Sequence, residues 1–174
     1  MIAVGEIRGE EAYVLFQALA TGHGGLCTMH AEDAETAIKR LTQPPMNIPE
    51  SIITLMNCVI VVRHIPTLNS LNRKRRISSR RFVQVSEVRD SASVVDIFNW
   101  NSSSEFFMER IEESIMFTRM ARKLGVSMKN LMDEFEARKK ILADMAEHNV
   151  RDYRSVNNVL SKYYHTPNNL TPNQ

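Results

Sequence analysis

Met1-Ile2-Ala3-Val4-Gly5-Glu6-Ile7-Arg8-Gly9 opens the chain, and the reading of this stretch decides the fold. The apolar run Met1 to Val4 reads as a buried strand, so Gly5 and Glu6 fall at its carboxyl end, where open α/β sheets place their ligand crevice. A carboxylate there can accept a proton from an attacking water or hold the water shell of a metal ion, and Gly5 leaves the space beside it free of side chain. The string is equally compatible with an ordinary solvated glutamate at a strand end.

A second cluster follows at Thr21-Gly22-His23-Gly24-Gly25-Leu26-Cys27-Thr28-Met29-His30. Two histidines bracket a Gly-Gly pair and a short apolar strand, Leu26 to Met29, so each histidine sits at one end of that strand, near a turn. Glycine lets a backbone approach a phosphate closely, and histidine can donate to phosphate oxygens and titrates near neutral pH. The plainer alternative is that both histidines satisfy backbone groups in turns. A metal site lacks ligands: Cys27 stands alone between the histidines, and the other cysteine, Cys58, lies in a different apolar run.

In order, spacing and intervening helix, the two clusters resemble one family. Gly5 to Gly9 is similar to the Walker B segment of the type II/type IV secretion superfamily ATPases, and Thr21 to His30 resembles their histidine box. The archaeal branch, the secretion and archaellum motors, is the nearest, through Gly-Glu-Ile-Arg-Gly-Glu-Glu, Ala37-Ile38-Lys39-Arg40-Leu41 and Pro44-Pro45-Met46-Asn47-Ile48-Pro49. The resemblance covers residues 1 to about 165. It implies an α/β fold: part of a RecA-like P-loop ATPase sheet, then an antiparallel strand meander and a C-terminal three-helix region. It implies Glu6 as catalytic base or as partner of a magnesium-bound water, its metal contact being indirect, and His30 as the residue near the terminal phosphate. Gly5, Arg8, His23 and Thr28 would support nucleotide binding and phosphate sensing. ATP and Mg2+ are the cofactors of the intact family. Its members form hexameric rings that dock on a membrane platform protein and couple ATP hydrolysis to secretion or to pilus and archaellum assembly.

The chain contains no Gly-x-x-x-x-Gly-Lys-Ser/Thr phosphate loop and no acidic box of the kind these ATPases carry ahead of Walker B. The resemblance therefore corresponds to the C-terminal part of a full-length ATPase, and an initiator Met inside an expected central strand suggests a shortened reading frame or a gene fragment. An N-terminal ATPase half is then an expected partner, and the chain alone is expected not to hydrolyse ATP.

Composition is ordinary for a globular chain, with 174 residues, 43% hydrophobic and 24% charged. Two cysteines make no disulfide framework, and neither a long apolar span nor a signal-like N-terminus is evident, which reads as cytoplasmic, with the inner face of the membrane as the expected workplace. The pattern divides the chain into an ATPase part over 1–100, a helical part over 101–166 and a disordered tail over 167–174. Within it, Asp33 is a candidate N-cap for a helix through Leu41, and Asn57 to His64, Arg80 to Val88 and Ser93 to Trp100 read as an antiparallel meander in which Phe82 alternates inward. Helices are expected from Glu105 to Leu124, with Gly125 just beyond, from Met128 capped by Ser127, and from Asp152 or Ser155.

The formal charge of +2 conceals a basic island: Arg73, Lys74, Arg75, Arg76, Arg80 and Arg81 fall within nine residues. Such a run can neutralise nucleic-acid or lipid phosphates, so a non-catalytic nucleic-acid- or partner-binding module on segment 73–81 is the alternative function. Aromatic interleaving is absent, so nucleic acid is an unlikely partner, and a solvated hairpin tip or subunit-contact loop is the simpler reading.

Overall fold

The computed structural model describes residues 1–67, 77–89, 92–101 and 107–165, without the side chains of 66–67, 77–79 and 107–108. Arg73, Lys74, Arg75, Arg76 and the tail from Pro167 lie outside the described residues. The chain forms two compact units, Met1–Ile115 and Met116–Gln174.

The first unit begins with a βαβ motif. Strand β1 (Ile2–Val4) pairs in parallel with β2 (Gly25–Cys27), with Ala3 opposite Leu26, and helix α1 (Glu11–Ala20) connects them. The core lies against one face of this pair: Ile2, Val4 and Cys27 pack on Ile7, Ala12, Leu15, Phe16, Ile38, Leu41, Ile48 and Ile53. The strand is therefore not buried throughout, as its apolar run suggests. Ile2 and Val4 are half-buried, whereas Met1, Ala3 and Leu26 are exposed. Helix α2 (Ala34–Thr42) starts where Asp33 accepts a hydrogen bond from Thr36 N at 2.7 Å and buries Ala34, Ala37, Ile38 and Leu41. The short α3 (Glu50–Ile53) closes the core with Ile53.

A four-stranded antiparallel sheet follows, β3 (Cys58–Thr67), β4 (Ile77–Val88), β5 (Val94–Trp100) and β6 (Phe107–Glu109), in sequential order. The meander is one strand longer than expected, and β6 occupies sequence expected to be helical. Its ladder with β5, Trp100 opposite Phe107 and Phe98 opposite Glu109, overrides the i, i+4 spacing of Phe107, Ile111 and Ile115. A 3-10 turn, Ile111–Glu113, intervenes, and helix α4 (Ile115–Leu124) begins ten residues later than expected. Phe82 points outward and is 59% exposed, whereas Val83 is buried. β-bulges between Val61 and Val62 and between Val85 and Ser86 shift the register, and a one-residue slip exchanges the two faces of a strand.

In the second unit, α5 (Met128–Glu147) is capped by Ser127, which accepts from Asn130 N at 3.1 Å, and α6 (Tyr153–His165) follows Asp152, which accepts from Ser155 N at 3.0 Å. Gly125 ends α4 at φ +67°, the left-handed conformation glycine adopts without steric cost. Phe117 and Phe135 meet edge to face at 5.3 Å, and Leu131 and Met145 are buried.

Candidate functional site

The carboxyl ends of β1 and β2 are held side by side by two bonds across the pair. Ile7 N donates to Thr28 O at 2.9 Å, and Thr28 Oγ1 donates to Gly5 O at 2.5 Å. Glu6 and His30, brought out on these two ends, meet with His30 Nε2 3.3 Å from Glu6 Oε1. A Cβ placed on Gly5 would have nothing within 4 Å, so the space beside Glu6 is open. The loop between them and α1 is fixed by Glu11, whose Oε1 accepts from the backbone N–H groups of Arg8 and Gly9. Those backbone donors hold the Glu11 carboxyl below its ordinary range.

Arg8 grips Glu6 as a fork, Nε to Oε1 at 2.7 Å and Nη2 to Oε2 at 2.6 Å. This hydrogen-bonded guanidinium is the main reason that the Glu6 carboxyl lies below the ordinary range, and Glu6 in turn raises Arg8. Glu6 is thus held ionised with both oxygens engaged.

Around the pair lies an open cleft of about 510 Å³, lined by Glu6, Thr28, Met29 and His30 from one sheet and by Val62, Arg63, His64 and Arg80 from the other. Arg63 Nη2 donates to Glu32 O at 2.6 Å, Arg40 donates to His30 O, and Arg80 Nε donates to His64 Nε2 at 3.1 Å. The histidine-bearing loop is therefore tied to α2 and to β3 by two guanidinium groups.

Of the residues singled out from the sequence, Gly5, Glu6, Arg8, Thr28 and His30 come together. His23 does not line the cleft; it stands at the far end of β2, its Nδ1 3.0 Å from Thr21 Oγ1 and its N–H bonded to Ala18 O. Arg80 reaches the cleft, whereas Arg81 lies over the Trp100 ring at 5.6 Å. Gly25 serves packing: a Cβ there would meet Leu19 Cδ2 at 2.8 Å and Leu15 Cδ1 at 3.1 Å, so its missing side chain is the room into which α1 settles on β2. Among the described residues no three His, Cys, Asp or Glu side chains converge to hold a metal ion, and no helix is long and apolar enough to cross a membrane.

The sequence model described as "Type II/IV secretion system protein" matches residues 1–157. The chain belongs to this family. It is similar to two uncharacterized proteins of Methanocaldococcus jannaschii. One is 35% identical over 147 residues, 84% of this chain and 53% of the relative; the other is 29% identical over 172 residues, 94% of this chain and 30% of the relative. A shorter match joins it to the type IV secretion system protein PtlH of Bordetella pertussis, 47% identical over 49 residues, 28% of this chain and 14% of that protein. The chain thus spans about half the length, or less, of the curated relatives it matches. Within this secretion-family chain, the cleft residues that sequence reasoning did not single out are Met29, Val62, Arg63 and His64. The only sequence signal for them was an Arg-His pair in a β-branched strand, and its approach to Glu6 depends on contacts more than fifty residues apart along the chain.

Proposed function

We propose that this chain is the part of a secretion- or pilus/archaellum-type motor ATPase that carries the catalytic carboxylate. The observation that carries the reading is the meeting of Glu6 Oε1 and His30 Nε2 at 3.3 Å, at the carboxyl ends of adjacent parallel strands, where α/β sheets bind their ligands. Glu6 is the Walker B carboxylate and His30 the histidine-box residue, whose ring donates toward a terminal phosphate. Arg8 keeps Glu6 ionised, Gly5 leaves the approach open, Thr28 locks the two strand ends together and His23 braces the turn into β2. An ionised Glu6 carboxylate can orient the attacking water or accept its proton, and Glu6→Gln removes both capacities. Magnesium, when bound, would draw charge from the phosphates of ATP, and Glu6 is the residue of this chain suited to hold its water shell.

The phosphate loop that positions the substrate belongs, on this reading, to an N-terminal ATPase half, and the working state is a hexamer against a membrane platform protein on the cytoplasmic side. Membership of the secretion family supports this assembly, as does the greater length of the relatives. The alternative module on segment 73–81 has less support, since Arg80 faces the cleft and Arg81 stacks on Trp100. A steep fall of DNA affinity with salt would speak for it.

The test supplies the phosphate-loop half, fused or co-expressed, and measures magnesium-dependent ATP hydrolysis. Glu6→Gln lowers turnover on the order of 10² to 10⁴ with nucleotide binding retained, and His30→Ala lowers it by a smaller factor. The chain alone shows no hydrolysis above its Glu6→Gln control. Full turnover by Glu6→Gln in the reconstituted protein refutes the assignment.

A further inference from the structure

The wall of the cleft that Arg63 and Arg80 line carries two guanidinium groups that form no ion pair among the described residues, Asp33 acting on Arg63 only through space. The single carboxylate lining the cleft, Glu6, is already matched by the Arg8 fork. Arg63 spends one donor on the Glu32 carbonyl and Arg80 one on a ring nitrogen of His64; among the described residues neither is ion-paired with a carboxylate. Each guanidinium keeps most of its five N–H donors uncommitted. The β3–β4 register sets Arg63 opposite Arg81, two like charges on one face of the ladder, while Arg80 leaves on the other face opposite His64, and both Arg63 and Arg80 still line the cleft. Like charges facing each other across a ladder cost free energy. Arg81 is relieved by the face of Trp100. The hydrogen-bond acceptors of Arg63 and Arg80 are neutral, and both residues border an open cavity of about 510 Å³, room for a phosphoryl group.

We propose that Arg63 and Arg80 form a phosphate-binding wall that grips the terminal phosphoryl group of a polyphosphate chain across the cleft from Glu6 and His30. Planar guanidinium forks match phosphate oxygens, and two fixed cations balance a dianionic terminal phosphate. In the ATPase this rests on the hydrolytic reading of the cleft: the wall orients the phosphoryl end, and Glu6 faces it from the other side.

The experiment is a calorimetric or phosphorus-NMR titration of the 174-residue chain with sodium tripolyphosphate and with orthophosphate. Tripolyphosphate binds the wild type more tightly than orthophosphate, and Arg80→Gln weakens it by about tenfold, the loss expected for one charge-assisted contact. Because Arg63 also holds the Glu32 carbonyl, Arg63→Lys, which keeps a donor, is used beside Arg63→Gln; it loses less than the glutamine variant. Lys140→Gln, an exposed charge in the second unit, leaves binding unchanged and reports the effect of net charge alone. Circular dichroism verifies that each variant is folded. Binding by Arg80→Gln and Arg63→Lys equal to wild type, or an equal loss in Lys140→Gln, overturns the proposal, as does tighter binding of orthophosphate. The two readings separate cleanly. If Glu6→Gln abolishes hydrolysis in the reconstituted ATPase while the arginine variants bind as wild type, hydrolysis stands and the wall falls. If Glu6→Gln leaves turnover intact while the arginine variants lose tripolyphosphate, the wall stands and the hydrolytic reading falls.

Discussion

Replacing Gly25 by alanine separates the two uses a glycine can have beside a candidate phosphate site. Its added methyl would sit 2.8 Å from Leu19 Cδ2 and 3.1 Å from Leu15 Cδ1. Leu19 is partly buried and can swing its end away, but Leu15 is 4% exposed and packed in the core, so α1 itself must shift. Overpacking of this kind costs about 1–3 kcal/mol, against about 0.4–1 kcal/mol gained from a stiffer unfolded chain, leaving a net loss of up to about 2.6 kcal/mol, with a central value of about 1.3 kcal/mol. Gly24 is the matched control: a Cβ there would lie 4.0 Å from Met1 Cγ, an ordinary contact, so Gly24→Ala is neutral or mildly stabilising. The single tryptophan, Trp100, lies on β5 in the first unit, so its fluorescence during urea unfolding reports the unit concerned. The midpoint falls for Gly25→Ala at unchanged slope and stays or rises for Gly24→Ala. Equal midpoints for the two variants refute the packing argument. If Gly25→Ala lost tripolyphosphate binding at full stability, the glycine would instead be serving close approach of a ligand.

Two further outcomes follow from the described contacts. Arg8→Gln removes the main cause of the lowered Glu6 pKa, so carbon-NMR titration of the Glu6 carboxyl finds it moved up toward the ordinary glutamate value. Because a depressed folded pKa contributes stability that is present above the unfolded value and lost as pH falls through the folded one, the variant also loses that component of acid sensitivity below the ordinary glutamate range; an unmoved titration would show that the fork is absent in solution. Ser114→Ala removes a donor from the buried Glu87 carboxylate, which also accepts from Ile115 N at 2.8 Å, and costs about 1.5–3 kcal/mol in urea unfolding; a change under about 0.5 kcal/mol would mean that water replaces the hydroxyl.

What the sequence made legible was local. The caps at Asp33 and Ser127 and the glycine after α4 depend on side chains reaching their own backbone a few residues away, and each stands where its residue type predicts. The place of Glu6 just past the carboxyl end of a short strand was legible as well, because the apolar run breaks at Gly5. What failed required information from a distant partner. The helix expected from Glu105 lost its first turns to a strand because β5 offered a ladder, and Phe82 faced outward beside the bulge that makes Val83 an extra residue of β4 against β3.

The basic run shows the limit most clearly. Along the chain Arg80 and Arg81 are one feature, two charges in a cluster. On a strand, neighbours leave on opposite faces, and the bulge between Val61 and Val62 decides which residue of β3 each meets. Arg80 lies opposite His64 at the cleft of Glu6, and Arg81 lies over Trp100. A count of charges cannot make that division, yet it separates one cation that lies over an aromatic face from one that lines the cleft with Glu6. Neutralising the two by glutamine should accordingly be unequal: Arg80→Gln weakens phosphate binding, and Arg81→Gln, which surrenders a cation–π contact worth about 0.5–1 kcal/mol at an exposed site, lowers stability and leaves phosphate binding nearly unchanged.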